Sequence, residues 1–227
     1  FYLEDYAGAE ADCSLALQRR PYTVQYYTLR GLCRVNLEMY ESAIEDYKAS
    51  LQQNPMERNN WHNMVLCHME LDQFDEADSA LDSMMTLWPR ESSQCTMKAQ
   101  VSLAKKDTLQ AEEWVDSALV LDNYDGNAWS MKSSFLIKRE NALDRAIVQK
   151  PRVPILYVNR ALTRFQQNNI KGAMSDYDQA IEIDGNNYVA HYNRGLLRAQ
   201  VGDDNRAIDD FDFVLSLEPD NMIALYN

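Results

Sequence analysis

Residues that could carry catalysis or bind a metal are few and scattered in this chain. The three histidines, His62, His68 and His191, share no spacing typical of a zinc site. The sequence contains no HExxH motif, nucleophile elbow, P-loop or dinucleotide fingerprint. The cysteines have no CxxC spacing, and we expect them to be reduced thiols in a hydrophobic core rather than disulfides or metal ligands. These patterns predict a protein that is not an enzyme and uses no cofactor or metal. The cysteines are Cys13, Cys33, Cys67 and Cys95.

Asparagine is a polar residue that recurs with regular spacing on the predicted first helices. Asn159, Asn193 and Asn227 follow one another at intervals of 34 residues, and Asn63 shares their phase once a six-residue slip, described below, is included. A side-chain amide both donates and accepts hydrogen bonds, so a row of amides suits the backbone of an extended peptide. The chemistry expected from this chain is therefore non-covalent recognition.

The 34-residue period is also carried by proline and alanine. Pro21, Pro55 and Pro89 are each 34 residues apart, and Pro151 and Pro219 are 68 apart. Such a period is typical of a repeat array, in which each unit stacks on its neighbours because it is too small to bury a core alone. When residues 188–221 are numbered as positions 1–34 of one repeat, position 20 is alanine six times. These residues are Ala9, Ala43, Ala77, Ala111, Ala173 and Ala207.

Each repeat has the pattern of two helices joined by a short turn. In the last full repeat the pattern predicts a first helix over Ala190–Val201, a turn at Gly202–Asp204 and a second helix over Arg206–Leu217. Small residues dominate positions 8, 20 and 27, where they would let paired helices approach closely. Position 24 is mostly bulky and apolar, and its side chain would fill the remaining space. The next repeat upstream follows the same plan, with Asn168–Asn169 in its turn.

These residues resemble the tetratricopeptide repeat (TPR) family, which has a 34-residue period and an aromatic–Gly–Ala–aromatic–Pro pattern. The resemblance covers the whole chain and implies an all-α, right-handed superhelical solenoid of helix-turn-helix repeats, as one array over 1–227. It also implies a role in binding other proteins, although one fold serves many functions. The predicted units are a half repeat at 1–23, repeats at 24–57, 58–91, 92–125, 126–153, 154–187 and 188–221, and the start of another at 222–227.

The repeat at 126–153 is six residues shorter than the others. The distance from Pro89 to Pro151 is 62 residues instead of 68, and the phase changes near Lys138–Asn141, where the turn between the two helices should lie. Two antiparallel helices cannot be joined without a turn. Either this repeat is one continuous helix that splits the solenoid, or a turn is missing from the sequence. Because the helix-packing positions on both sides are intact, we favour a missing turn.

The TPR resemblance places the concave binding groove on the first helix of each repeat, at positions 2, 5, 6, 9, 12 and 13. Helical spacing agrees, because these positions share one face. The side chains there are mostly amides, aromatics and aliphatics with few charges. We predict that they bind a peptide or a partner segment. The candidate ligand-binding residues are Asn159, Asn193, Tyr192, Phe165, Asn63, His62, Gln100 and Gln166.

The predicted groove can be compared with the grooves of two kinds of TPR protein. The asparagines at position 6 are similar to the asparagine ladder of O-linked N-acetylglucosamine transferases, or they serve only solvation and helix packing. The TPR co-chaperones grip a C-terminal carboxylate with cationic side chains. Here Asn159 matches the middle of that clamp, but Ser130, Val189 and Asn193 stand where its other members, mostly cations, are needed, so we do not expect a carboxylate ligand.

Composition restricts the partner. The net charge of −13 argues against nucleic acid, which demands basic patches. No apolar run approaches 18 residues, so we expect no membrane insertion. Aspartates recur at position 25, either on a solvated convex face or on an acidic strip that docks a basic partner. They are Asp82, Asp116, Asp144, Asp178 and Asp212.

The sequence leaves the setting of the protein open. Phe1 falls at position 12 of a repeat and Asn227 at position 6, so we expect a piece of a larger protein. Reduced thiols are typical of a reducing compartment such as the cytoplasm, but the sequence does not fix the localisation. The leading interpretation is a non-catalytic protein-interaction scaffold. The alternatives are a targeting or regulatory arm of a larger enzyme or signalling protein, and self-association through the uncapped ends near Leu225 and Tyr226.

Overall fold

The computed structural model describes residues 5–217, and every regular element in that range is an α-helix. By clustering of contacts the chain divides between Ser130 and Met131 into two compact units. The helices are α1 (Tyr6–Arg19), α2 (Val24–Asn36), α3 (Tyr40–Gln53), α4 (Arg58–Glu70), α5 (Phe74–Leu87), α6 (Ser92–Ala104), α7 (Thr108–Leu121), α8 (Gly126–Gln149), α9 (Pro154–Gln166), α10 (Ile170–Ile183), α11 (Tyr188–Gln200) and α12 (Asp204–Leu217).

The helices confirm the all-α repeat fold that the sequence predicts. Each of the pairs α2–α3, α4–α5, α6–α7, α9–α10 and α11–α12 packs within one predicted repeat. The second helix of the last pair begins at Asp204, two residues before the predicted start, because the turn is shorter than expected. The handedness of the superhelix and the single array over 1–227 stay predictions. Asn227, Leu225 and Tyr226 lie outside the described residues.

The turn inside each regular repeat uses one left-handed residue at position 15. Glu38, Asp72, Lys106, Asn168 and Gly202 have φ between 55° and 81°. The following N–H donates to the carbonyl five residues back, as in Met39 to Arg34 at 2.8 Å and Asn169 to Arg164 at 2.8 Å. This is the Schellman arrangement that ends a helix. Only Gly202 adopts this conformation without a steric cost.

The shortened repeat has no such turn. α8 runs without interruption from Gly126 to Gln149, 24 residues, and includes Lys138–Asn141, where the phase changes. Glu140, which occupies position 15 there, is helical. Of the two alternatives, the repeat as it stands in this sequence is therefore one continuous helix. Whether a turn is missing from the sequence stays a prediction. With the six turn-forming residues absent, nothing in the sequence stops the helix.

Close approach of paired helices depends on small residues packed against rings. A Cβ on Gly31 would lie 2.7 Å from the Tyr47 ring, and one on Gly195 would lie 2.8 Å from the Phe211 ring. Position 8 is thus small because position 24 is large, as the sequence predicts. The alanines at position 20 that lie within the core are almost fully buried. They are Ala43, Ala77, Ala111, Ala173 and Ala207.

A hydrogen bond that the sequence analysis did not foresee joins five of the repeats to the turn before them. The residue at position 4 donates to the carbonyl at position 32 of the preceding repeat: Tyr27 to Pro21 at 3.0 Å, Trp61 to Pro55 at 2.9 Å and Tyr157 to Pro151 at 3.0 Å. Trp129 and His191 make the equivalent contacts with Asn123 and Gly185. The aromatic side chain at this position is therefore a polar link between neighbours as well as an apolar one.

The four cysteines are buried, as expected for core thiols. Burial raises the pKa of Cys67 to about 11, with the backbone opposing and Glu70 adding to the shift. Thiolate is then scarce at neutral pH, and the side chain behaves as a small apolar group. Within residues 5–217 no helix combines the length and the apolar character needed to cross a bilayer.

Candidate functional site

Two predicted groove residues, Phe165 on α9 and Asn193 on α11, line one cavity. It has a volume of about 310 Å³, and we call it the α9–α11 cavity. Its wall is mainly aliphatic and aromatic, and the amides of Asn193 and Gln200 supply its polar groups. Tyr177 of α10 also lines it, and burial raises the pKa of this phenol to about 12, so the hydroxyl is neutral. The remaining lining residues are Leu162, Leu196 and Leu197.

Two further predicted residues, Asn159 and Gln166, line a neighbouring cavity of about 470 Å³ between α8 and α9. Leu162 lines both cavities, so the two are adjacent. Gln166 Oε1 accepts a long hydrogen bond of 3.4 Å from Arg139 Nη1. Within the described residues, the side-chain amides of Asn159 and Asn193 make no hydrogen bond. Four of the eight predicted residues are thus brought together, and two of them have unused hydrogen-bonding capacity.

Tyr192 does not line either cavity. Its ring packs against Phe211 of α12, with the centroids 5.9 Å apart. The sequence analysis placed it on the groove because position 5 shares a helical face with position 6. Tyr192 is half-buried against the following helix, so its role in binding stays a prediction.

The other three predicted residues lie in the first unit, on α4 and α6. His62 and Gln100 are exposed, and Asn63 is half-buried. Partial desolvation of the imidazole lowers the pKa of His62, and the nearby Arg58 charge lowers it further, so His62 is neutral at pH 7. Asn63 lies near the fully buried Tyr47 hydroxyl without forming a hydrogen bond of normal geometry. Burial raises the pKa of Tyr47 well above its usual value.

Sequence reasoning missed a charged cluster that recurs at fixed positions. In three repeats, arginines at positions 7 and 11 bond a buried aspartate at position 23. Arg160 Nη2 lies 2.6 Å from Asp176 Oδ1, and Arg164 Nη1 lies 2.8 Å from Asp176 Oδ2. Asp176 is only 2% exposed. We call this arrangement the guanidinium cluster, and its other two examples are Arg30–Arg34–Asp46 and Arg194–Arg198–Asp210.

The guanidinium cluster also reaches the helix before it. Arg160 Nη1 lies 2.7 Å from Asp144, and Arg164 Nε lies 2.8 Å from Glu140, both on α8. The hydrogen bonds that Arg160 donates to Asp176, and then to Asp144, raise the pKa of Arg160 far above its usual value. Because the guanidinium and carboxylate groups use their hydrogen-bonding capacity on one another, the cluster is structural and offers little to a ligand. A signal was present in the sequence, since Arg-x₃-Arg recurs in phase with an aspartate 12 residues later.

Three of the aspartates at position 25 form ion pairs as well as facing solvent. Asp144 bonds Arg160 at 2.7 Å, Asp178 bonds Arg194 at 2.7 Å and Asp82 bonds Lys98 at 2.6 Å. Each therefore pairs with a cation on the first helix of the following repeat. Their carboxylates remain about half exposed or more, at 46%, 53% and 67%.

Comparison with known proteins agrees with this architecture. Residues 161–202 match the family model described as TPR repeat, and residues 24–55 match the model described as tetratricopeptide repeat. No curated protein matches the sequence. Among solved structures, the chain is similar to a tetratricopeptide repeat protein from Parabacteroides merdae, with a TM-score of 0.54, 17% identity and coverage of 98% of this chain and 90% of that one.

A second similar structure is a chain of the APC/C hetero-tetramer Cut9–Hcn1, with a TM-score of 0.50 and 15% identity. The match covers 98% of this chain and 45% of that one. At these identities the likeness concerns the fold alone. The fold defines an all-α helical-repeat protein of the solenoid class. The two matching family models show tetratricopeptide repeats over residues 24–55 and 161–202, and together with the helix pairs they support assignment of the chain to the tetratricopeptide repeat family, whose repeats generally mediate protein interactions.

Proposed function

We propose that this TPR chain is a non-catalytic scaffold that binds an extended peptide, or a segment of a partner protein, on α9 and α11. The observation that carries the proposal is the pair of adjacent cavities that share Leu162 and are lined by Asn193 and Asn159 respectively.

The α9–α11 cavity has the composition of a side-chain pocket. At about 310 Å³ it has room for one large apolar side chain. Burying a leucine, methionine or phenylalanine there contributes about 1.5–3 kcal/mol. Phe165 is 39% exposed, although it is aromatic, and a bound side chain would cover it. The pocket therefore favours a peptide with an apolar anchor.

The two amides supply the complementary polar contact. Asn159 and Asn193 are equivalent residues of successive repeats, so they present the same group at a regular interval along the surface. Each can donate to a peptide carbonyl and accept from a peptide N–H, which contributes about 0.5–1.5 kcal/mol for each net hydrogen bond. Such contacts bind backbone with little regard to sequence, while the pocket selects the side chain.

A selection from a displayed library of random linear peptides tests the proposal directly. The selected peptides should share an apolar anchor residue. The Asn159→Ala/Asn193→Ala double variant should bind them about 5- to 30-fold more weakly, which corresponds to about 1–2 kcal/mol. Calorimetry would measure the affinities, and circular dichroism would confirm an unchanged helix content.

The matched control removes two exposed asparagines away from the cavities, Asn186→Ala and Asn205→Ala. This variant should bind the selected peptides with the affinity of the unaltered chain. If the selected peptides bind both variants equally well, the groove on α9 and α11 is not the binding site, and the proposal fails.

A further inference from the structure

A third cavity, of about 500 Å³, lies between α3, α4 and α5, on a different face from the predicted groove. Trp61, Met64 and His68 of α4 line it, whereas His62 and Asn63 point to the opposite side of the same helix, as helical spacing requires. We call it the α4 cavity. The proposed function does not use it.

The α4 cavity occupies the place that the guanidinium cluster fills in other repeats. In this repeat, positions 7, 11 and 23 are Met64, His68 and Ala80 in place of two arginines and an aspartate. All three of these residues line the cavity. The space is therefore open because two guanidinium groups and one carboxylate are missing from it.

The aromatic ring that accompanies the guanidinium has been kept. In two of the clustered repeats, the arginine at position 7 lies over the ring at position 4: Arg30 is 5.7 Å from the Tyr27 centroid, and Arg160 is 5.5 Å from the Tyr157 centroid. The ring at position 4 here is Trp61, the strongest of the aromatic side chains for a cation. Position 7 of this repeat is Met64, which supplies an uncharged thioether in place of a guanidinium.

The polar groups of the α4 cavity need a hydrogen-bond donor. His68 is only 6% exposed, and its Nδ1 lies 2.7 Å from Gln73 Oε1. Because that oxygen only accepts, Nδ1 donates to it, and in the tautomer that this bond selects Nε2 is an acceptor. Among the described residues nothing donates to Nε2. Glu76 lines the same cavity, and its carboxylate likewise has no partner in the part of the chain that the structure describes.

The other charges of the α4 cavity are already engaged. Asp75 is paired with Lys105 at 2.7 Å. The positive charge of Lys48 on α3 would repel a bound cation. Its side chain is 51% exposed and lies 3.7 Å from Glu45, so solvent and that carboxylate screen the repulsion. The unpaired charge that remains is the negative one on Glu76.

We propose that the α4 cavity binds an arginine side chain of a partner protein. A guanidinium is planar, so it stacks on Trp61 as Arg30 and Arg160 lie over their own tyrosines. Its N–H groups would donate to the Glu76 carboxylate and to His68 Nε2. Its aliphatic stem would pack on Met64 and Ala80. The partner thus supplies the cation that this repeat lacks.

Titration with N-acetyl-L-arginine methylamide tests this site in the purified chain. The indole N–H resonance of Trp61, assigned from its loss in Trp61→Phe, should shift and saturate with a millimolar dissociation constant. The citrulline analogue has the same shape without charge and should bind at least about tenfold more weakly. The lysine analogue should also bind more weakly, because it cannot stack as a plane.

Three variants sharpen the test. Glu76→Gln should weaken binding of the arginine probe about 5- to 10-fold, and Met64→Arg should abolish it by filling the site from within. Lys48→Gln should strengthen binding of the arginine probe. A variant that had lost its fold would bind the probe more weakly, so misfolding cannot explain a gain. The matched control is Glu182→Gln on α10, an exposed helical glutamate whose removal should leave the affinity unchanged.

The proposal is overturned if the arginine probe gives no saturable shift of Trp61 up to its solubility limit. It is also overturned if the citrulline or lysine analogue binds as tightly as arginine, or if Glu182→Gln weakens binding as much as Glu76→Gln.

Discussion

The helix pairs α9–α10 and α4–α5 occupy the same positions of the repeat but are held by different interactions. In α9–α10, Arg160 and Arg164 converge on the buried Asp176. In α4–α5 the equivalent residues are Met64, His68 and Ala80, and an open cavity replaces the cluster. The difference shows that the small and bulky packing positions suffice for the fold, whereas the charged positions are free to vary.

The largest expected effect follows from removal of the buried carboxylate. Asp176→Ala leaves two partly buried guanidinium groups without their partner and should lower the free energy of unfolding by about 3 kcal/mol. Chemical denaturation measures this change. Asp178→Ala, which removes an exposed carboxylate, should cost less than about 1 kcal/mol. Equal effects of the two substitutions would show that the buried cluster is not what holds α9 to α10.

The second prediction concerns the shortened repeat, which differs from both pairs because α8 is continuous. Asn141 is exposed and lies in the middle of this helix. Asn141→Pro removes a helical hydrogen bond and clashes with the preceding turn, so it should lower stability by about 3 kcal/mol. Asn141→Ala should change stability by no more than about 0.5 kcal/mol. A proline that is tolerated at this position would mean that a turn, not a helix, lies there.

The third prediction rebuilds the missing cluster in α4–α5. Ala80→Asp alone buries an unpaired carboxylate and should destabilise by about 2–3 kcal/mol. Met64→Arg in the same chain supplies its partner, so a double-mutant cycle should give a favourable coupling of about 2 kcal/mol. A coupling near zero would mean that the two pairs differ in backbone geometry as well as in side chains.

The smallest effect concerns the turn that the regular repeats share. Lys106 has φ of 64°, and replacement by glycine relieves its strain, so Lys106→Gly should stabilise by about 0.5–1 kcal/mol. Gly202→Ala should do the reverse by about 1 kcal/mol. A Cβ at Gly202 would meet no atom within 4 Å, so this cost is purely one of backbone conformation. Thermal denaturation would show whether each variant is more or less stable than the unaltered chain.

The sequence predicts the helix pairs because their signals are local and repeated. Pro55 and Pro89 mark repeat ends, Ala43 and Ala77 mark the buried face, and the glycine at 202 marks a turn. For the shortened repeat the sequence left two alternatives, because family phase and local helix propensity disagree near Glu140. The family pattern demands a turn, but no residue from Lys138 to Asn141 is a helix breaker, and the local preference determines the structure.

The candidate site was only partly predictable. Helical spacing places Asn159 and Asn193 on one face, but spacing alone does not show that Tyr192 packs against Phe211. The α4 cavity depends on the absence of three residues, and absences are visible only when repeats are compared position by position. Its unpaired groups, His68 Nε2 and Glu76, require side-chain coordinates, because Gln73 determines which nitrogen of the imidazole is protonated.

The contacts of Arg160 and Arg164 with Asp144 and Glu140 also determine how α8–α12 should unfold. Opening of α9 and α10 breaks the charged contacts with α8. The partly open state therefore loses helix packing and also leaves the carboxylates of Asp144 and Glu140 without their cations. That penalty makes neighbouring repeats open together. Amide hydrogens in α8–α10 should therefore exchange with solvent as one cooperative block.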